Sequence, residues 1–164
     1  MEPDIWTPHV TVAALAERAG RFLVIEEHTS DGLRINQPAG HLEAGETLAD
    51  AVRREALEET AHPFEPQALV GVYVTHFGRP PGPGNTYLRF TFCGEAGQAI
   101  AGRALDSGIV RAFWMSADEL RACRERHRTP AVMQCVDDYL AGRRVPLEFI
   151  HTHSLAPLRA EVQL

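Results

Sequence analysis

Apolar residues recur along this chain in two rhythms. His9 to Leu15 and Arg21 to Glu26 form β-rich runs, and Ala19-Gly20 between them supplies a turn, which predicts a hairpin. Ser30-Asp31-Gly32 predicts a second turn, and Leu33 to Gln37 leads into Pro38-Ala39-Gly40, where the chain is expected to fold sharply. The rhythm then changes to helical spacing at Leu48, Val52 and Ala56. Thr47-Leu48-Ala49-Asp50 has the form of a capping box, so a helix should begin near Leu48. It should end near Ala61, because Pro63 has no amide proton and biases His62 away from helical geometry. Valine- and aromatic-rich Ala68 to Phe77 and alternating Tyr87 to Cys93 predict two more strands. Gly78 to Asn85 is too rich in proline and glycine for either element and predicts an exposed loop, either a plain connector or a segment that touches substrate. After an irregular stretch from Gly94 to Asp106, Ile109 to Met115 predicts the last strand, with Trp114 as a core aromatic. Ser116 to Glu119 repeats the capping-box pattern and opens a short helix through Leu120 and Cys123. Pro130 opens a last helix, with Val132, Val136 and Leu140 on one face and Gly142 as its stop. Strands interrupted by one helix and followed by two more predict an α/β fold with a mixed sheet between helical layers.

Composition narrows the partners. A chain of 164 residues is expected to form one domain, with residues 1–8 as a lead-in and 151–164 as a peripheral tail. A formal net charge of -6 gives no nucleic-acid footprint, although a bound metal could supply the charge complementarity for a nucleotide. No apolar run reaches membrane-spanning length, and no basic stretch followed by a hydrophobic one opens the chain. A cytoplasmic protein is expected, a monomer rather than a dimer, with a small molecule as its partner and neither nucleic acid nor membrane. Cys93, Cys123 and Cys135 are odd in number and lack metal-ligand spacing, which reads as free thiols. His151 and His153 could share a strand face, but a solvated tail is the plainer reading.

The expected helix from Leu48 has an unusual charge distribution. At about 3.6 residues per turn, Glu55 and Glu59 fall in the arc of Leu48, Val52 and Ala56, and Glu58 falls at its edge. Like charges at these spacings repel, and repel more when desolvated. Arg54 can pair with Glu58 one turn on, but one guanidinium does not match so many carboxylate oxygens. Mg²⁺ or Mn²⁺ takes such oxygen ligands and keeps waters and substrate phosphates beside them. A bare E-x-x-E-E would more simply be a solvated acidic surface.

The context is what changes that balance. Gly40, Glu46, Arg54, Glu55, Glu58 and Glu59 stand at the spacing of the Nudix box, and the chain resembles the Nudix hydrolases. Two positions depart from the family's pattern, Ala61 where glycine is usual and His62 where an aliphatic residue is usual, both past the carboxylates. Flanking strings, among them Asn36 to Glu43, Leu88-Arg89-Phe90, Trp114 to Leu120 and Pro146-Leu147-Glu148, resemble the NudJ-type phosphatases. The resemblance implies the Nudix α/β/α sandwich, with Mg²⁺ or Mn²⁺ held by Glu55, Glu58, Glu59 and the Ala39 carbonyl. It implies Arg54 orienting the glutamates, and Glu46 joining the metal shell or positioning water. Many relatives carry a further acid just before the position of Ile109; here Gly108 stands there, and Asp106 is the substitute candidate. Asn36, Gln37, Tyr87 and Arg89 are the candidate substrate contacts, and Arg89 could instead form an edge salt bridge.

The implied activity is removal of terminal phosphate from nucleoside tri- and diphosphates or thiamine-pathway pyrophosphates. Two alternatives are a Nudix enzyme releasing pyrophosphate from nucleotides and a Nudix-fold module that binds such a ligand without turning it over.

Overall fold

The computed structural model describes residues 6–78 and 84–153, and strand β1 (His9–Arg18) runs through their middle. Along one edge β1 pairs in parallel with β6 (Asn85–Ala96). Along the other it pairs antiparallel with β4 (Ala39–His41) and then, at Glu17 and Arg18, with β2 (Arg21–Thr29). β6 pairs antiparallel with β5 (Phe64–Phe77), whose outer edge carries the short β8 (Val145–Pro146). β2 lies between β3 (Gly32–Asn36) and β7 (Ile109–Ser116). The sheet is therefore mixed, in the order β3-β2-β1-β6-β5-β8, with β4 and β7 branching from it.

Alternation along β1 sorts the two helical layers. Val12, Ala14 and Ala16 face α1 (Leu48–Thr60) and pack in one cluster with its Ala51, Val52 and Ala56. Leu15 points the other way, and with Phe22 and Val24 meets Leu120 of α2 (Ala117–Ala122) and Met133, Cys135 and Val136 of α3 (Ala131–Leu140). Helices on both faces of a mixed sheet make the expected α/β/α sandwich. The α1 seam is built largely of alanine, which lets the helix lie close on the sheet.

Local chemistry explains the element ends. The β1–β2 turn holds both Ala19 (φ 51°) and Gly20 (φ 75°) in the left-handed region that two-residue type I′ hairpins require. Thr47 caps α1 by accepting the Asp50 N–H at 3.0 Å, while its hydroxyl donates to Asp50 Oδ2 at 2.7 Å, so the box closes between side chains. Ser116 and Glu119 form the complete reciprocal box at α2. The helix α1 ends with Ala61 at φ 59°, the place for a glycine. His62 secures this exit, its Nδ1 lying 2.7 Å from the Gly97 carbonyl and its ring edge-on to Trp114.

Several expectations need correction. Pro38 to Gly40 does not fold back sharply. It extends into β4, because the open edge of β1 offers partners on both sides: Ala14 N–H donates to the Pro38 carbonyl at 2.9 Å and Leu42 N–H to that of Val10 at 3.0 Å. β6 runs on to Ala96, so the irregular stretch expected from Gly94 starts only at Gly97. Leu140 is exposed, and the inner face of α3 is completed by Met133 and Cys135. Trp114 is half-buried against the α1-side cluster, with the Arg18 guanidinium 4.7 Å over its ring. The cysteines are free, Cys93 and Cys135 buried and Cys123 half-buried. His151 and His153 are exposed, whereas residues 79–83 of the expected loop and 154–164 of the tail lie outside the described residues.

Candidate active site

The site forms where α1 lies against β4. Arg54 projects into the seam and uses all five of its donors. Its Nε donates to Glu46 Oε1 at 2.7 Å, and Nη2 donates to Glu46 Oε2 at 2.9 Å and to the His41 carbonyl at 3.0 Å. Nη1 donates to Glu55 Oε1 at 2.6 Å and Glu58 Oε2 at 3.1 Å. Glu46 thus meets Arg54 side-on with both oxygens, and those hydrogen bonds hold its carboxyl below the usual range. The same contacts hold the guanidinium far above its ordinary value.

The two inward glutamates are less well compensated. Glu55 is buried beneath Gly40, where a Cβ would stand 2.2 Å from its carboxylate, so only glycine allows strand and carboxylate to approach this closely. Burial pushes the Glu55 carboxyl up, against the opposing pull of Arg54. Glu59 is 8% exposed and accepts the Ala39 N–H at 2.7 Å. Burial pushes its carboxyl up to about 8, opposed by that N–H and reinforced by the negative charges of Glu55, Glu27 and Asp106. Asp106 is exposed and held beside the helix by its own N–H, which donates to the Glu58 carbonyl at 3.0 Å.

Beyond β4 the seam opens into a cleft of about 400 Å³. Its floor is Arg89, only 8% exposed and without a carboxylate partner among the described residues. The guanidinium donates instead to Asn36 Oδ1 at 3.0 Å and Gln37 Oε1 at 2.6 Å. The edge salt bridge open to Arg89 from sequence is therefore not formed, because its strand is internal to the sheet. Tyr87 stands at the rim, stacked on His9 with ring centroids 4.9 Å apart and edge-on to Phe77 at 5.3 Å.

The NUDIX domain family model matches residues 7–134. The chain belongs to the Nudix hydrolase family. It is 39% identical over 147 residues to Phosphatase NudJ of Escherichia coli K12, covering 89% of this chain and 92% of that protein. The Shigella flexneri Phosphatase NudJ matches to the same extent. Among solved structures, a NUDIX hydrolase from Nitrosomonas europaea superposes with a TM-score of 0.83 at 49% identity, covering 90% of this chain and 98% of that one. The MutT NUDIX hydrolase of Burkholderia pseudomallei, at 20% identity and a TM-score of 0.66, shares the fold.

In this Nudix hydrolase, a NudJ-like phosphatase, the sequence-selected residues fall into two adjoining groups. Glu46, Arg54, Glu55, Glu58, Glu59, Asp106 and Ala39 gather at the helix seam; Asn36, Tyr87 and Arg89 line or floor the cleft, with Gln37 behind Arg89. Sequence reasoning missed Glu27, His41, Arg128 and Thr129 in the cleft walls. Arg128 and Thr129 arrive from far along the chain, carried by the bridge of His127 to Ile35. No local spacing announces them.

Proposed function

We propose that the protein removes the terminal phosphate from nucleoside tri- and diphosphates, and from thiamine-pathway pyrophosphates, with Mg²⁺ or Mn²⁺. One observation carries the reading: two buried carboxylates, Glu55 and Glu59, lie directly behind Ala39 and Gly40, which wall a cleft floored by a buried guanidinium that has no anionic partner among the described residues. Residues of this kind fit a hard divalent ion, since Glu55 and Glu59 are carboxyl groups held close by Gly40 and Ala39, and burial raises their pKa values so that the metal-free site favours a proton where a cation would otherwise sit. Glu55, Glu58, Glu59 and the Ala39 carbonyl would hold it. When bound, it supplies Lewis-acid stabilisation of phosphoryl oxygens and a more acidic water.

The chain's own residues do the rest. Arg54 fixes the rotamers of Glu46, Glu55 and Glu58 in one hydrogen-bonded set, so the carboxylates are oriented before substrate arrives. Glu46, already engaged at both oxygens, serves Arg54 here. Asp106, exposed at the edge and held there by its own backbone N–H, would take a proton from an attacking water. Arg89, oriented by Asn36 and Gln37, faces the anionic end of the substrate, and Tyr87 packs against its organic part. In the same reading the protein works as a cytoplasmic monomer on small molecules. No helix among the described residues is long and apolar enough to cross a membrane.

Hydrolysis of a nucleoside triphosphate in ¹⁸O-labelled water tests the reading. Label in inorganic phosphate, with nucleoside diphosphate as the other product, is expected. Nucleoside monophosphate and pyrophosphate as primary products would replace it with a pyrophosphohydrolase, and no turnover over a broad pyrophosphate panel would replace it with a binding module.

A further inference from the structure

The cleft holds one acid that neither the helix nor the box supplies. Glu26 and Glu27 are consecutive on β2, and a register shift against β7 falls between them. Such bulges re-aim side chains. Glu26 is buried and paired with both Arg111 and Arg126. Glu27 is turned to the cleft, half-buried, and makes no salt bridge among the described residues. Its hydrogen-bond partner is Asn36, whose Nδ2 donates to Glu27 Oε1 at 3.2 Å. Asn36 Oδ1 is already taken by Arg89, which fixes the amide so that its N–H must face Glu27.

An ionised carboxylate has about four acceptor positions, and this one fills a single position from the protein. The cleft around it is otherwise supplied with donors: Arg89 on the floor, Arg128 exposed on the rim, and Thr129, whose buried hydroxyl has no partner among the described residues. An anionic group on the ligand would go to the arginines and be repelled by Glu27. What Glu27 lacks is a donor beyond Asn36.

We propose that Glu27 is a specificity-determining residue that accepts a hydrogen bond from an N–H on the organic part of the substrate, selecting pyrophosphates of amino-bearing heterocycles over their oxo counterparts. This rests on the cleft being the substrate site of the proposed hydrolase. The heterocycle lies between the Tyr87 and Phe77 rim and the Glu27–Asn36 pair, with its donor edge toward Glu27 and its phosphates toward Arg89.

Cytosine and uracil nucleotides test this, since they share size and shape and differ at position 4, amino in cytosine and oxo in uracil, and at the adjoining N3, bare in cytosine and an N–H in uracil. With position 4 toward Glu27, cytosine presents a donor and uracil an oxygen. Methylene-bridged, non-hydrolysable CTP and UTP analogues are titrated calorimetrically into the wild type and Glu27→Gln. The wild type should bind the cytosine analogue at least about tenfold more tightly, about 1.4 kcal/mol. Glu27→Gln should cut the ratio to below about threefold, because an amide both donates and accepts. In turnover of CTP and UTP the change should fall on KM, with kcat kept, and Mn²⁺ binding followed by electron paramagnetic resonance should weaken only slightly, through the loss of a nearby negative charge. Equal binding of the two analogues by the wild type, or no binding of either, overturns the proposal. So does a Glu27→Gln variant that loses Mn²⁺ affinity and kcat on both substrates, which would make Glu27 a metal ligand. Discriminating binding without turnover of either nucleotide would leave Glu27 its role and remove the hydrolase reading instead.

Discussion

Replacing Glu59 by glutamine should stabilise the metal-free protein while disabling the enzyme. Glu59 is 8% exposed, and burial lifts its carboxyl from 4.5 to about 8. The folded state therefore holds a proton that the unfolded chain gives up above pH 4.5. The sign follows directly: the contribution of Glu59 to stability is whole below about pH 4.5 and is lost progressively as pH rises through 8. At ~1.36 kcal/mol per tenfold change in the proton equilibrium, the loss has a ceiling of roughly 5 kcal/mol at alkaline pH. The carbonyl oxygen of the substituted side chain can still accept the Ala39 N–H, but its amide N–H adds a donor that costs about 1 kcal/mol or more when unmatched. Allowing for this and for water entering from the cleft, about 2 kcal/mol of net gain remains near pH 8.5, or roughly 4–8 °C in Tm for a chain of this size. Melting curves in EDTA from pH 5 to 8.5 read this out. The variant and wild type should melt together at pH 5 and diverge as pH rises, while turnover with Mg²⁺ falls by orders of magnitude. A variant that melts at or below the wild type at pH 8.5, with the same pH slope, refutes the buried, uncompensated carboxylate. Near-normal turnover refutes its role in the site.

Three further outcomes are expected. Millimolar Mg²⁺ or Mn²⁺ should raise the Tm of the EDTA-treated wild type, because an ion that binds only the native state stabilises it by mass action, and should not raise that of the Glu55, Glu58 and Glu59 triple glutamine variant. Arg54→Lys keeps the charge but cannot reproduce five planar donors, so kcat should drop at least about tenfold with a weaker Mn²⁺ affinity, checked by steady-state kinetics and metal titration. Ala61→Gly should stabilise the fold by about 0.5–1 kcal/mol in urea titration, since the left-handed penalty of ~1–2 kcal/mol outweighs the extra freedom of glycine when unfolded.

Sequence carried the helical seam well, because its information is local. A capping Thr47, the spacing of Leu48, Val52 and Ala56, and a blocking Pro63 bound α1 without reference to anything distant, and the glutamates ride on it. The Nudix spacing added Gly40 and Glu46, which meet the helix through the seam. The cleft was legible only in part. Arg89 was visible in an alternating strand, but its burial follows from β1 and β5 flanking β6, a matter of sheet order. Glu27 depends on a one-residue register shift opposite β7, and Arg128 on a bridge to β3, neither of which leaves a local pattern. β4 was hidden for a related reason: three residues after a proline carry no strand rhythm of their own and pair because β1 presents a free edge.

The alanine seam between β1 and α1 acts as a gauge block. Ala14, Ala16, Ala51 and Ala56 set how far the helix stands from the sheet, and Gly40 sets how near the strand comes to Glu55. A methylene added on this side costs stability, as overpacking does in any core, and in addition lifts the carboxylates away from Ala39 and Gly40, so it should also weaken metal affinity. The same methylene at Leu120 or Val136, on the opposite layer, meets none of the site carboxylates and registers as lost stability alone. One sheet thus has a face machined to a tolerance and a face that simply bears weight.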